Sequence, residues 1–380
     1  MAFERGYNII YLNSDEDPEK ERKVFRTLEQ KMVDGVIFIP SVYSTKNQQI
    51  IKDFSVPIVA VDRVFDVDGI KGGVIVHKVT VVGSMNYDTT IHVKKFPLPG
   101  ETILAEAYSN SLGGKGANQA AALAKVGLEV SMIGAVGQDN EGHAMLNELN
   151  HLGINTDNVH LSDEQPTGRA QIVVEESGNN NIIVIPGANG RFSEEHIDRC
   201  QQAISSADAI LAQLEIPLMT VQYVFALAKR MNKLTVLNPA PVCSLKEELL
   251  QNVDILIPNE IEMEKLYGKP LKSYGELETA CEYFTGLGVK IVIVTLGERG
   301  CYYYHQGQGK FAACYAVKAI DTTAAGDSFI GGFLGNYLET KDIDQAIDFG
   351  QRVAAITVSR RGAIESIPNR IEALTTSLSK

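Results

Sequence analysis

The stretch GGKGANQAAALAKVGLEVSMIGAVG, residues 113–137, sets the class of fold. A glycine-rich turn opens a helix, and EVSMIGAVG then has the length and apolar character of a buried strand. Further along, the runs LTVL and KIVIV again alternate with helical patterns. Alternating strands and helices predict an α/β fold with a mainly parallel central sheet.

Two segments depart from this alternation and predict a small antiparallel element. Residues 89–112 hold short alternating runs broken by prolines, which suit an antiparallel excursion better than a crossover helix. Residues 167–183 belong to a hairpin whose turn lies around residues 178–181. We therefore expect an antiparallel insert near the start of the α/β region.

The first 72 residues form a pattern of their own. Strand, helix, strand, helix and strand follow one another up to VPIVAVDR, which predicts a partial βαβαβ segment. A polar, glycine-rich stretch at residues 64–73 is typical of a linker. With 380 residues the chain has room for about two domains, and we place them at residues 1–72 and 73–380.

Composition excludes several classes of function. A formal net charge of −12 argues against a nucleic-acid-binding surface, which needs clustered lysine and arginine. The five cysteines lack metal-type spacing, so we expect buried free thiols and a cytoplasmic location. No apolar run is long enough for a signal region or a membrane span, and no membrane partner is expected.

Polar residues follow the predicted strands, where α/β folds bind ligands. In GSMNYD, Asn86 and Asp88 face the same way if the segment is extended, which suits sugar hydroxyls, although an Asx turn explains them as well. Glu215 also follows a strand, as a ligand group or as a charge at a helix start. Two further motifs also allow both a structural and a functional interpretation. Asn259 and Glu262 fit a capping box, a phosphate or a metal's water shell, and TLGERG at residues 295–300 suits either a nucleotide or a hairpin turn.

The glycine-rich turn GGKGAN is not a P-loop. A P-loop needs serine or threonine after its Gly-Lys pair, and Gly116 stands there instead. The turn either brings backbone amides to a ligand or only leads tightly into a helix.

The stretch IDTTAAGDSF, residues 320–329, is the strongest candidate for catalysis. A helix is predicted from Ala324, so the free amides of Ala324, Ala325 and Gly326 would face an anionic group. Asp327 in the first turn can accept a proton from a hydroxyl held above those amides. Asp321 either caps the helix or binds a cation. This arrangement suits phosphoryl transfer, which depends on positioning and charge stabilisation.

Taken together, eight motifs in one order resemble the ribokinase family of sugar kinases. They are GSMNYD, GGKGANQAA, QLEIP, NPAP, NEIEME, TLGERG, DTTAAGDSF and RRGAIESIP, spread from about residue 73 to the C-terminus. The resemblance implies a three-layer sandwich with a small antiparallel β lid that also pairs two subunits into a homodimer. It implies ATP-dependent phosphorylation of D-ribose at its 5-hydroxyl. The alternatives are another sugar or nucleoside kinase, or a sugar-sensing transcription regulator that kept the fold.

The resemblance also assigns roles to residues. Asp327 would be the base, with the amides of Ala324, Ala325 and Gly326 as the anion hole. Ribose would contact Asn86, Asp88, Gly114, Lys115, Asn118, Glu215 and Asp327. ATP would contact Asn259, Thr295, Leu296, Gly297, Glu298, Arg299, Gly300, Gly326 and Gln351, where the family commonly has asparagine in place of Gln351. Glu262 would hold Mg²⁺ through water, and an activating K⁺ would be bound by Asp321, Thr323, Thr357, Arg360, Gly362 and Ser366, several through backbone carbonyls.

Residues 1–72 carry a different resemblance. They are similar to part of the effector domain of a LacI-type repressor, in which the pair corresponding to Asp62 and Arg63 often touches sugar. A helix-turn-helix headpiece, the domain's first strand and its second lobe are missing from this segment. We therefore expect neither DNA binding nor ribose sensing from it.

Overall fold

In the computed structural model the chain divides into two compact units, Met1–Val76 and His77–Lys380. The structure describes residues 10, 12, 18–38, 56, 58–60, 76–177 and 179–380. No helix within these ranges has the length and apolar character needed to cross a membrane.

In the first unit, one helix and two short strands are described. Helix α1 (Pro18–Gln30) precedes strands β1 (Val36–Phe38) and β2 (Ile58–Ala60), which pair in parallel. The ring of Phe25 on the helix meets that of Phe38 edge-on at 5.0 Å, and both side chains are buried. The remaining predicted elements of this unit, and Asp62 and Arg63, lie outside the described residues.

The second unit is built on a nine-stranded sheet. Its strands are β3 (Lys78–Val82), β6 (Glu129–Gly137), β7 (Asn155–Ser162), β10 (Ala209–Ala212), β11 (Leu234–Leu237), β12 (Ile255–Leu256), β13 (Ile291–Thr295), β14 (Cys301–His305) and β15 (Gln308–Ala312). Their spatial order is β15-β14-β13-β12-β11-β10-β3-β6-β7, and the pairs from β13 to β7 are all parallel. The predicted α/β fold with a mainly parallel sheet is therefore confirmed.

Helices cover both faces of this sheet. They are α2 (Lys115–Lys125), α3 (Asn140–His151), α4 (Glu194–Arg199), α5 (Gln201–Ser206), α6 (Leu218–Arg230), α7 (Glu247–Leu250), α8 (Glu260–Tyr267), α9 (Tyr274–Gly286), α10 (Ala325–Thr340), α11 (Ile343–Val358) and α12 (Arg370–Thr375). Alternate residues of one strand enter different apolar clusters: Val81 packs with α2 and α10 residues, and Val82 with α6 and α9 residues. This alternation produces the three-layer arrangement.

A second, four-stranded sheet corresponds to the predicted insert. It contains β4 (Asn86–Val93), β5 (Ala107–Gly113), β8 (Gly168–Glu175) and β9 (Asn180–Ile185), in the order β5-β4-β8-β9. The outer pairs are antiparallel, whereas β4 and β8 run parallel. The insert is thus mostly antiparallel, and β4 carries the chain into it directly from the end of the first central strand.

The strand order creates a crevice in the central sheet. From β3 the chain proceeds outward through β6 to β7, and then returns to place β10 on the other side of β3. Connections leave these two strands in opposite directions, and at such a switch point α/β proteins bind their ligands. The segments after β3 and β10, which contain GSMNYD and QLEIP, therefore face each other across this crevice.

Candidate active site

The GSMNYD segment lies at the crevice, where it turns from β3 into β4. Asn86 and Asp88 lie two residues apart on an extended strand, as predicted, and the alternative of an Asx turn is not observed. Asn86 is buried, and its Oδ1 accepts a hydrogen bond of 2.9 Å from Nδ2 of Asn189. Asn189, which the sequence analysis did not single out, also bonds the backbone N–H and carbonyl of Met85. Asn189 therefore holds Met85 and Asn86 in place at the start of β4.

The glycine-rich turn packs directly against that segment. Gly114 caps α2 with φ = 90°, a conformation that residues with a side chain rarely adopt. At Gly116 a Cβ would lie 2.6 Å from both the nitrogen and the oxygen of the Ser84 backbone. Close approach of two backbones thus requires these glycines, and the turn brings Lys115 and Asn118 to the crevice.

Glu215 connects the two sides of the crevice. Its Oε2 accepts hydrogen bonds from the Ser84 hydroxyl at 2.5 Å and from the backbone N–H of Lys115 at 3.1 Å. Because α6 begins only at Leu218, Glu215 is not a charge within that helix. Glu215 therefore lies at the first amide of α2 rather than within α6, and its role as a ligand group stays a prediction.

Asp327 lies in the first turn of α10 and is buried, with 7% of its surface exposed. Its Oδ2 accepts a bond of 3.1 Å from Nδ2 of Asn118, and its Oδ1 accepts one of 2.9 Å from Nε2 of Gln119. Gln119 was not among the predicted site residues. Gln119 lies next to Asn118 in the GGKGANQAA motif, but no local pattern separates it from an ordinary helix-interior residue.

The start of α10 differs in one respect from the prediction. The helix begins at Ala325, because Ala324 adopts a left-handed conformation with φ = 58° and serves as the cap. The amide of Ala325 donates to the carbonyl of Thr322 at 3.2 Å, so it is not free as we expected. The amides of Ala324 and Gly326 donate to no described residue.

Charges in the crevice influence one another. Burial, and then the neighbouring Glu215, raise the pKa of Asp88 from 3.8 to about 6. Burial lowers the pKa of Lys115, but the carboxylates of Asp327, Glu215 and Glu262 outweigh it, and the pKa ends above its usual value. Lys115 is therefore a cation between three acidic groups at neutral pH.

The predicted nucleotide residues meet at the ends of β12 and β13. Asn259 and Glu262 form the expected capping box of α8, with two reciprocal bonds of 2.8 Å. Asn259 also forms a parallel bridge with Thr295. Residues 295–300 connect the antiparallel strands β13 and β14, so the hairpin interpretation is confirmed. Arg299 ties that turn to α8 through an ion pair of 2.6 Å with Glu260.

Gln351 lies behind this turn. Its Nε2 donates to the carbonyl of Ala312 at 2.9 Å, and a Cβ on Gly300 would lie 2.1 Å from that same carbonyl. The Gln351 side chain is buried. The structure therefore places Gln351 against the backbone that adjoins residues 295–300.

The donor set is suited to Mg²⁺ carried by a nucleotide. Within the described ranges no group of three or more His, Cys, Asp and Glu side chains is placed to hold a metal ion. Mg²⁺ usually keeps several waters and takes one or two carboxylates together with substrate phosphates. Glu262 offers one carboxylate at the edge of the crevice, and it lies close enough for Lys115 and Asp327 to influence its pKa. These residues therefore fit the ion.

The predicted K⁺ residues are partly brought together. Asp321 accepts hydrogen bonds from the backbone N–H groups of Thr323 at 2.9 Å and Gly362 at 3.0 Å. Burial raises the pKa of Asp321, but hydrogen bonds from the Thr323 side chain and from these two N–H groups outweigh it and hold the pKa below its usual range. The Arg360 guanidinium pairs with Glu372, which leaves only backbone oxygen for a cation. Ser366 is buried, and its hydroxyl donates to Ala363. An ionised carboxylate among backbone oxygens suits a monovalent cation.

Buried polar atoms without partners mark both halves of the site. Among the described residues of the second unit they are Asp88 Oδ1, Asn118 Oδ1, Gln213 Oε1 and Gln351 Oε1. Buried acceptors are normally hydrogen-bonded, so each such atom requires an explanation. Two of them belong to predicted sugar contacts and one to a predicted nucleotide contact, whereas Gln213 was assigned to no ligand.

Comparison with known proteins identifies the class. The family model for pfkB family carbohydrate kinases matches residues 76–370. This match covers most of the chain, and the chain therefore belongs to the pfkB family of carbohydrate kinases, which are phosphotransferases. Residues 1–72 lie outside the match, so their similarity to a repressor effector domain stays a prediction.

Individual relatives of this chain are named as kinases of particular sugars. Ribokinase from Haemophilus influenzae is 41% identical over 295 residues, covering 78% of this chain and 96% of the relative. Deoxyribokinase from Salmonella typhi is 34% identical over 292 residues, covering 77% and 95%. The structure of Arabidopsis thaliana ribokinase complexed with ribose and ATP has a TM-score of 0.75 and 32% identity, covering 80% of this chain and 100% of that one.

Proposed function

We propose that this chain is an ATP-dependent ribokinase that transfers the γ-phosphoryl group of ATP to the 5-hydroxyl of D-ribose. Membership of a carbohydrate kinase family and 41% identity to a ribokinase support this proposal. The order of the eight motifs along the chain agrees with it.

The observation that carries the choice of a sugar is the pair of unpartnered acceptors in the crevice. Asp88 Oδ1 and Asn118 Oδ1 are buried and accept no hydrogen bond in the protein. A polyhydroxylated ligand brings several hydroxyl donors at once and would satisfy both atoms. The nearby carboxylate of Glu215 adds a further acceptor at the same edge.

Asp327 is the proposed base. It takes the proton from the 5-hydroxyl as the sugar oxygen bonds to the γ-phosphorus, and the bond from that phosphorus to the β–γ bridging oxygen breaks to release ADP. The amides of Ala324 and Gly326 at the positive end of α10 stabilise charge on the transferring group. Lys115 is a cation close enough to Asp327 for that carboxylate to raise the pKa of its amine. It orients the sugar and offsets negative charge in the crevice.

The proposed ion roles follow from the donor sets. Mg²⁺ supplies charge neutralisation on the phosphates when bound, and Glu262 would hold it through water. K⁺ would sit at Asp321, Thr323, Thr357, Arg360, Gly362 and Ser366, next to the start of α10. The hydrogen bond from Gly362 to Asp321 supports this placement, because it joins the two segments that supply these residues.

We further propose a homodimer formed through the lid, and a cytoplasmic enzyme. Strand β9 is one of the two edge strands of the small sheet, and its apolar residues 182–185 are each 44–61% exposed. A second copy covering this strand would bury that surface. All five cysteines are free thiols, which agrees with a reducing compartment, although Cys243 is exposed and Cys314 half-buried where we expected buried thiols. Sedimentation analysis with an Ile183→Lys variant tests the dimer, since a charge on β9 should dissociate it.

The substrate assignment is tested by steady-state ADP release with a panel of sugars, with and without K⁺. We expect D-ribose to give the highest kcat/KM and K⁺ to stimulate turnover. The Salmonella relative makes 2-deoxyribose the second candidate, and equal or higher kcat/KM for that sugar would replace ribose as the proposed substrate. Sugar-independent ATP turnover, or none in a folded sample, would remove the kinase proposal.

A further inference from the structure

A chain of buried amide side chains leads away from Asp327 into the protein. Gln119 and Gln213 are fully buried, and Asn238 is 7% exposed. Gln119 Nε2 donates to Asp327 Oδ1 at 2.9 Å and to Asn238 Oδ1 at 3.1 Å. These three residues come from α2 and from the ends of β10 and β11, and none of them was predicted as a site residue.

The orientation of the Gln119 amide is fixed by its neighbours. Its Nε2 faces two acceptors, Asp327 Oδ1 and Asn238 Oδ1, which leaves its Oε1 to accept a bond of 2.6 Å from Nε2 of Gln213. Asn238 is oriented in turn, because its Nδ2 donates to the carbonyl of Ile257 at 2.9 Å. The Gln119 amide therefore uses both N–H groups and its oxygen, and rotating it would break three hydrogen bonds.

The position of Gln213 is itself prepared by a glycine. A Cβ on Gly83 would lie 2.0 Å from Gln213 Oε1, so a larger residue there would displace the Gln213 amide. The first residue of the GSMNYD motif thus makes room for the amide that orients Gln119. A motif at the sugar side is in this way connected to the proposed base.

We propose that Gln119, held by Gln213, is a positioning residue that keeps the Asp327 carboxylate aimed at the sugar hydroxyl. The inference rests on the proposed function. Hydrogen bonds donated to a carboxylate favour its charged form, and a general base must be unprotonated before it can act. With Oδ1 bonded to Gln119, the other oxygen, Oδ2, which accepts a bond from Asn118, is the one that would take the proton.

The test compares Gln119→Met and Gln119→Glu with wild type and with Gln201→Met, a glutamine substitution at an exposed site. We expect Gln119→Met to lower kcat by about 10- to 100-fold while KM for ribose changes by less than about threefold. The acid limb of the kcat–pH profile should move upward for Gln119→Met, which removes a hydrogen bond to the carboxylate, and further for Gln119→Glu, which sets a second carboxyl group beside Asp327. Gln201→Met should behave as wild type.

A loss of kcat with an unchanged pH profile in both Gln119 variants would overturn the inference and leave Gln119 a packing residue. If Gln119→Met does not fold, Gln213→Met decides, because Gln213 reaches Asp327 only through Gln119. That variant should shift the acid limb in the same direction by a smaller amount, and no shift overturns the proposal. Failure of the proposed function would look different, since wild type itself would then lack sugar-dependent turnover.

Discussion

Replacing Asp88 by asparagine should stabilise the protein without ligand while weakening its binding of ribose. Burial and the neighbouring Glu215 raise the pKa of the Asp88 carboxyl from 3.8 to about 6. A group with a raised folded-state pKa binds its proton more tightly in the folded protein, so its charge costs stability at neutral pH. An asparagine side chain has the shape of the aspartate and carries no charge.

The size of the effect follows from the shift of about two pH units. Each unit corresponds to about 1.4 kcal/mol, which gives about 3 kcal/mol as the greatest gain for Asp88→Asn above pH 6. Because the pKa of Asp88 is higher in the folded protein, the gain in stability should be constant above about pH 6. It should vanish as the pH falls toward about 4, where the wild-type carboxyl is protonated in both the folded and the unfolded state. For a protein of this size the gain corresponds to a rise in Tm of about 3–6 °C at pH 8.

Differential scanning calorimetry between pH 5 and pH 8 measures this prediction, with Asp163→Asn at an exposed turn as the matched control. Isothermal titration calorimetry with ribose should show at least tenfold weaker binding for Asp88→Asn, because the acceptor for a sugar hydroxyl has lost its charge. An Asp88→Asn variant that is less stable than wild type at pH 8, or whose gain does not depend on pH, would refute the reasoning.

Three other substitutions have expected outcomes. Asp327→Asn should lower kcat by about 10³-fold or more in the ADP-release assay while ribose binding by calorimetry stays within a few-fold; retained turnover would exclude Asp327 as the base. Asp321→Asn should raise the K⁺ concentration for half-maximal activation and reduce the rise in Tm that K⁺ gives over Na⁺, and an unchanged K⁺ dependence would move the cation elsewhere. Lys125 donates to the carbonyls of Ile364 and Ile367, so Lys125→Met should cost about 1–3 kcal/mol in chemical denaturation, whereas the exposed control Lys318→Met should cost nothing measurable.

Long, strongly patterned segments were predictable from the sequence. EVSMIGAVG coincides with β6, and the capping signals of Asn259 and Glu262 correspond to observed hydrogen bonds. Strand β7, NTDNVHLS, was missed because it is polar and lacks a clear alternation. The left-handed conformation of Ala324 was also missed, since alanine has no preference for positive φ and only the surrounding fold imposes it.

The site was predictable where a residue type itself suggests chemistry, and not where only long-range contacts give it a role. The role of Asp327 as a candidate base was predictable from its place near a helix start. Gln119 contacts Asp327 across 208 residues of sequence, and within QAAALAK it resembles an ordinary helix interior. Sheet order decides such contacts, because the return of β10 to the side of β3 brings Gln213 beside α2. Local patterns contain no information on that return.

The central claim is tested most directly by identifying the phosphorylated position in the product. Wild-type enzyme with ATP, Mg²⁺, K⁺ and D-ribose should yield a phosphomonoester whose ³¹P resonance couples to two methylene protons, as expected for phosphate on O5. Coupling to a single proton would place the phosphate on a hydroxyl group of a ring carbon and contradict the account. When a second sugar is added together with D-ribose, preferential phosphorylation of that second sugar would contradict the account as well.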